Sequence, residues 1–426
     1  MIDTKLNEKT VESKTKESIS LVFLNSLRVI AMICVIIYHA AASYSTQSLY
    51  WAIQDPTKDL FSDFIRDFLD IFIMPLFFFI AGYFGIRSLQ KYSAKEFFYS
   101  KFKKLMFPWI FIILIILPFV LSKVHDVSNY SNYLEYWLAY IISVGTVTIA
   151  PLDSGEFNHI HFWYLSLLFY FFVFLMIIYY IAEKKRVNSN QGDDIPIIKR
   201  SMIIIIIIVG IIVSFGTFIL LLFTAEKNWL TINFIIQFKI IGIISYAGLF
   251  GIGVYASKKN MFTNGKDVRW MKEWAIASIL LTVLFFIVGG NILTNFNSQF
   301  LNPAILLVFA LIRTFLCISI IFFFLSFTMK YMNKSSFFNT ELAEQSFNIY
   351  LVHVFIVIAF QLVLINWVGP NAIKILIITV ASLFICFALC KYIFKKIPLK
   401  IGLMVMFLLF FILPLLAIIF PILNSI

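Results

Sequence analysis

The chain reads as eleven long apolar runs separated by short polar or basic breaks, at approximately residues 19–43, 68–88, 105–122, 161–182, 202–224, 234–256, 274–291, 304–329, 347–367, 372–391 and 401–423. Roughly 20 residues at helical rise cross the hydrocarbon core of a bilayer, so each run can span as a helix. A further tract, 133–150, is broken by Glu135, Gly145, Thr146 and Thr148 and reads as an interfacial or re-entrant helix. The pattern predicts an all-α, polytopic membrane bundle of about ten core helices plus a C-terminal eleventh. Its divisions are a polar leader at 1–18, a membrane domain at 19–398 and the additional helix at 399–426.

Composition agrees: 61% of the 426 residues are hydrophobic and 13% charged, against roughly 25% charged in an ordinary soluble domain. A net charge of +12 could suit a nucleic-acid binder, but its placement excludes that class. Most of the 34 Lys and Arg fall in alternate loops, while the intervening loops hold only Lys58, Arg66, Lys123 and Lys227. That bias orients helices with the basic loops inside, which puts the N-terminus in the cytoplasm. The leader and "HAAAS" imitate a signal peptide, but Arg28 interrupts an apolar run longer than a signal needs. Cys34, Cys317, Cys386 and Cys390 all lie in apolar runs and behave as small hydrophobes. No Gly/Ser linker or internal repeat is visible.

The informative anomaly is "LNSLRVIAMICVIIYHAAASYS", which carries Arg28 and His39 inside a span. A charge at depth in a bilayer costs at least a few kcal/mol and marks a functional position unless it is paired. Eleven residues at about 100° each bring both side chains to one face, roughly 16 Å apart along the axis. Other ionisable groups fall at the outer level of His39: Asp67 and Asp70 on one face of the second run, and His161 with Trp163 at the entrance of "HFWYL". Near the C-terminal end, "SFNIYLVH" carries Asn348 and His353.

The Arg28–His39 spacing, "FFFIAGYF", the basic segment "KFKKLMFPW", "FWYLSLLF" and "SFNIYLVH" resemble, in order, the marks of the membrane acyltransferase-3 family, and within it the glucan-modifying, succinyltransferase-like subgroup. The resemblance implies transfer of a small acyl group, acetyl or succinyl, from cytoplasmic acyl-CoA to a hydroxyl of a cell-envelope or exported carbohydrate, in the cytoplasmic membrane of a bacterium. No permanently bound cofactor or metal is expected; acetyl-CoA or succinyl-CoA is the donor. It implies His39 as the catalytic histidine and Arg28 as a donor contact. The site set is completed by Asp67 or Asp70 orienting His39, Lys101, Lys103, Lys104 and Arg313 facing the donor, and His161, Trp163, Asn348 and His353 around the acceptor. The expected partners are acyl-CoA, the carbohydrate and the lipid bilayer, with envelope-polysaccharide synthesis proteins or a second copy of the chain as further candidates. Two departures from the family pattern are Lys101, Lys103 and Lys104 where arginines are frequent, and Ala81 and Ile73 where polar residues are expected.

Chemistry points the same way, since acylating a hydroxyl requires a base and His has the nearest unperturbed pKa. Ser43, four residues after His39, reads as a helix-end hydroxyl rather than a nucleophile. Lys239 and Lys374, near helix ends, read as snorkelling side chains. The rival class is a transporter of polysaccharide or acyl donor, which should show repeated halves with matching broken helices.

Overall fold

The computed structural model describes residues 2–48, 51–118, 132–142, 147–151, 159–188, 202–232, 236–262, 270–294 and 302–393. The expected eleventh helix at 399–426 lies outside them. The chain forms α1 (Ile2–Ala42), α2 (Leu60–Lys91), α3 (Ala94–Lys101), α4 (Phe107–Phe111), α5 (Tyr133–Ile142), α6 (Trp163–Asn188), α7 (Met202–Phe223), α8 (Ile243–Lys258), α9 (Met271–Thr294), α10 (Pro303–Tyr331), α11 (Ala343–Leu364) and α12 (Asn371–Ala388). Among the described residues nine helical segments are long and apolar enough to cross a membrane. They match nine of the expected runs; the polytopic helical class is as the sequence predicts. The run at 105–122 is helical as far as residue 118 but is not among the nine.

That run departs from a regular helix for a local reason. Pro108 has no N–H, so the carbonyl four residues back loses its helical donor. The turn before it, Phe102–Met106, opens to a wider π-type turn, and a second such turn follows at Ile112–Ile116. The leader is continuous with the first span, so α1 is a single 41-residue helix.

α1 packs against α2, α10, α11 and α12 and occupies the middle of the bundle. Its apolar positions Leu24, Leu27, Val29, Ala31 and Ile36 are buried. The periphery is the reverse: α9 turns Ile276, Ile279, Leu280, Val283 and Ile287 outward, as a lipid-facing helix must. The closest approach is between α2 and α8. A Cβ at Gly82 would lie 2.2 Å from the Phe250 carbonyl oxygen, and one at Gly253 would lie 2.1 Å from that of Phe79. Without side chains to hold the helices apart, the backbones touch, as small-residue interfaces allow in membranes.

The sequence does not predict the sheet found among the described residues. β1 (Val147–Pro151), β2 (Asn228–Ile232) and β3 (Ile236–Lys239) pair antiparallel, with Val147 opposite Ile232 and Trp229 opposite Lys239. This corrects the helical reading of 133–150: α5 spans Tyr133–Ile142, and Val147–Pro151 is a strand of the sheet. Glu135, cited as a breaker, lies inside the helix.

The α2–α8 contact yields a paired prediction. Gly253→Ala should lower stability by about 1–3 kcal/mol through overpacking. Gly251→Ala, with nothing within 4 Å of its Cβ, should leave the melting temperature unchanged. Thermal unfolding of the two detergent-solubilised variants decides it, and equal melting would contradict the close contact.

Candidate functional site

His39 sits in the last turn of α1, 7% exposed. The ring of His161, from the short turn Ile160–Phe162 before α6, lies 5.5 Å from it centre to centre, and that of His353 on α11 lies 5.3 Å away. His161 and His353 are 4.9 Å apart. Three elements remote in sequence thus bring three buried imidazoles into one cluster.

Each arm of the cluster is held by identifiable bonds. The main-chain N–H of His159 donates to Gln237 Oε1 at 2.9 Å, tying the turn to β3. Ile160 has φ 49°, a left-handed conformation that is strained for a β-branched residue. On α11 the Tyr350 hydroxyl donates to the His161 carbonyl. The third arm involves residues 43–48 and 51–59, which cross the end of α1 as a strap. Its Trp51 stacks on His39 at 5.2 Å and 21°. The Trp51 indole N–H donates to Gln361 Oε1 at 2.8 Å, and the Gln361 amide donates to the carbonyls of His39 and Ala40 at 3.0 and 3.2 Å. Those carbonyls are among the helix-end acceptors that lack intrahelical partners. Ser43 Oγ donates to the Ile53 carbonyl at 2.8 Å, so this hydroxyl is committed to the strap.

The strap is anchored by an ion pair. Lys374 on α12 meets Asp55 at 2.9 Å with both side chains 1% exposed, and Asn371 donates to Asp59 at 2.9 Å. Lys374 therefore does not snorkel. Nor does Lys239, which bonds Asp70 at 2.8 Å and Glu226 at 2.7 Å. Both positions are near helix or strand ends, as expected, but each ammonium is turned inward by carboxylates.

This pairing also corrects the role expected of the two aspartates. Asp70 is taken by Lys239, with an Arg313 nitrogen at 4.0 Å; Asp67 accepts from Gln47 Nε2 at 3.1 Å. Neither bonds His39. Arg313 likewise belongs to the carboxylate group around Asp70 rather than to the lysines expected beside it. The link from this group to the cluster is Tyr38, whose ring edge meets His39 at 5.2 Å and whose hydroxyl accepts from Arg66 at 3.1 Å.

His161 and Trp163 do not form a joint platform. His161 faces the other histidines, while Trp163 packs against Tyr246 at 5.7 Å and Trp229 at 5.3 Å. Asn348 donates to Gln345 one turn back and bonds none of the histidines. The aromatic face at the cluster is Trp51, which the sequence reading missed along with Gln361, Tyr350 and Tyr38. A glutamine in an apolar helix was the available signal for Gln361.

The level of α1 around Arg28 is built differently. Arg28 lies over the Phe84 ring at 5.1 Å, Lys104 over Phe347 at 5.4 Å and Lys101 over Phe172 at 4.6 Å. Among the described residues no carboxylate lies within ion-pair distance of Arg28, Lys101 or Lys104; Lys101 is half-buried, and Lys103 and Lys104 are exposed. Burial, with the Lys104 charge adding, pushes the Lys101 ammonium down to about 8. Partial desolvation of its ammonium and the Arg28 charge lower Lys104 as well. Between this level and the cluster stand neutral rings: Tyr164 is 5.9 Å from Tyr350 and 5.2 Å from Phe78. The arrangement offers imidazoles to take a proton at one level and unneutralised cations to attract an anion at the other.

An acyltransferase domain model matches residues 21–391. Among curated proteins, the glucans biosynthesis protein C of Salmonella enteritidis PT4 and that of Salmonella agona are each 28% identical over 121 residues. The match covers 27% of this chain and 31% of each relative, so it spans about a third of their length. No solved structure matches.

The strap anchor can be tested without any substrate. Lys374→Met leaves Asp55 buried and unpaired and should cost about 3–5 kcal/mol, whereas Lys374→Met with Asp55→Leu should recover most of that loss. Thermal unfolding of the single and double variants measures the coupling, and additive losses would show that the pair does not hold the strap.

Proposed function

We propose, for a chain that belongs to the acyltransferase-3 family and is a multi-pass membrane protein with a membrane O-acyltransferase domain, the following donor, acceptor and mechanism. The donor is acetyl-CoA or succinyl-CoA from the cytoplasm, and the acceptor is a hydroxyl of a cell-envelope or exported carbohydrate at the opposite face of a bacterial cytoplasmic membrane. The observation that carries this reading is the polarity along α1, with unneutralised cations around Arg28 and an imidazole cluster around His39, eleven residues on. The printed name of the Salmonella relatives, glucans biosynthesis protein C, supports a glucan-type acceptor.

Arg28, Lys101 and Lys104 attract the donor phosphates, and the neutral thioester arm runs past Tyr164 and Tyr350 toward His39. Trp51 supplies a flat apolar face of the kind on which a sugar ring packs. His39 removes the hydroxyl proton as the oxygen attacks the thioester carbonyl carbon. The carbon–oxygen bond forms and the carbon–sulfur bond breaks. The proton held on His39 then passes to the departing thiolate, giving the ester, free CoA and a neutral imidazole.

The direct test is acyl-ester content of envelope and secreted carbohydrate, by mass spectrometry, in cells carrying the wild type, His39→Ala or Arg28→Ala at matched membrane levels. The expected result is loss of an acetyl or succinyl ester in both variants with export unchanged. Unchanged ester with carbohydrate retained inside the cells would replace the reading with transport.

Lys101 gives a second check. It holds its proton below about 8 and loses it above, so CoA affinity should weaken as pH rises through that value. Lys101→Arg, which stays charged, should flatten the dependence. Equilibrium binding of CoA to purified protein from pH 6.5 to 9 measures it, and a pH-independent wild type would exclude Lys101 as a donor contact.

A further inference from the structure

His161 and His353 each turn one ring nitrogen to the same atom, the main-chain oxygen of Tyr350: His353 Nδ1 at 2.8 Å and His161 Nε2 at 3.3 Å. A carbonyl oxygen only accepts, so a ring nitrogen held against it is the donor; this oxygen, inside α11, also takes the helical N–H four residues on, and the two imidazoles share the rest of its lone-pair region. Both of those nitrogens therefore carry hydrogen. A neutral imidazole has a single N–H, so His353 Nε2 and His161 Nδ1 are bare acceptors. Both are buried without a hydrogen-bond partner, and so is His39 Nδ1.

Two buried bare nitrogens call for a donor, because a polar atom withdrawn from water without a partner is costly. The donors around them are largely committed. The Trp51 N–H goes to Gln361, the Gln361 amide to the end of α1, and the Tyr350 hydroxyl to the His161 carbonyl. From α2, Arg66 gives its two terminal nitrogens to Tyr38 and Ser45 and keeps only Nε unpaired, while the carboxylates of Asp67 and Asp70 accept from Gln47 and Lys239. The ring that remains beside both histidines, 5.3 and 5.5 Å from them centre to centre, is His39.

We propose that His353 is the positioning residue for His39: its bare Nε2 accepts a hydrogen bond from His39 Nδ1–H, with His161 Nδ1 as the alternative acceptor. The bond closes by rotation of rings already 5.3 Å apart between centres. It leaves His39 Nε2 bare to take the hydroxyl proton, so the role rests on the reading of His39 as base. In hydrolase triads a carboxylate occupies this place. Here a neutral imidazole does, and the resting cluster buries no charge.

The test is the ¹⁵N spectrum of histidine rings in the intact protein in lipid bilayers, without substrate, at about pH 8, above the ordinary imidazole range. The chain has five histidines, so single variants assign every signal. The expected wild-type spectrum shows His39 as one tautomer with hydrogen on Nδ1, His353 with Nε2 bare and His161 with Nδ1 bare. His353→Leu should leave His39 as a mixture. His353→Gln, whose amide oxygen reaches about where Nε2 sits, should keep it single. Hydrogen on Nε2 of wild-type His39 would overturn the proposal, even if the leucine variant does not fold; so would a His39 tautomer unchanged in both His353→Leu and His161→Leu. In cells, His353→Leu should lower ester formation at least about tenfold and His353→Gln should restore most of it, since a misdirected tautomer disables a base. Absence of ester in every strain would count against acyl transfer, and the spectrum would still decide the positioning role.

Discussion

The Gln361 side chain is the joint on which the histidine cluster depends. Its amide nitrogen closes two open carbonyls at the end of α1, and its oxygen holds the indole that stacks on His39. A helix end buried in an apolar bundle must have its carbonyls satisfied. By doing so from α11, which also carries His353, one side chain fixes the distance between the two imidazoles. The position of the strap follows from the same bonds.

The Arg28 and His39 levels of α1 treat charge in opposite ways. On the His39 side, Lys374 and Lys239 are neutralised at contact distance by Asp55, Asp70 and Glu226. Such pairs are weak contributors to net stability, because desolvation offsets much of their attraction, yet removing one partner is severe. They are better seen as fixing register: one pins the strap to α12, and the other joins α2 to β3. On the Arg28 side the cations rest on aromatic faces, which offer weak attraction and leave hydrogen-bonding capacity unused.

Legibility of this site in the sequence followed the range of the interactions. Arg28 and His39 were visible because both belong to one helix, and helical geometry alone sets their face and separation. The nine spans were visible because the bilayer demands length and apolarity locally. Asp67 and Asp70 also share a face, but a face does not name the neighbour that packs on it; the partner of Asp70 arrives from Lys239, 169 residues later. The sheet was missed for the same reason, as β1 and β2 make sense only when paired. Trp51 sits in a loop whose order comes from α11 and α12, elements some three hundred residues away.

The geometry of the strap bears on why the cluster uses imidazoles rather than a carboxylate. Trp51 covers one face of His39 and Tyr38 meets it edge-on, so the ring is largely shielded from water. An aspartate beside it would have to be buried as an anion, and the nearby aspartates are instead consumed by lysine, serine, threonine and glutamine donors. Two neutral rings pinned by one carbonyl supply acceptor nitrogens without that charge. The oxygen of Tyr350 thereby sets two tautomers through hydrogen bonds of 2.8 and 3.3 Å, and the hydroxyl of the same residue holds the His161 turn. The position of a single turn of α11 then determines how the cluster handles a proton.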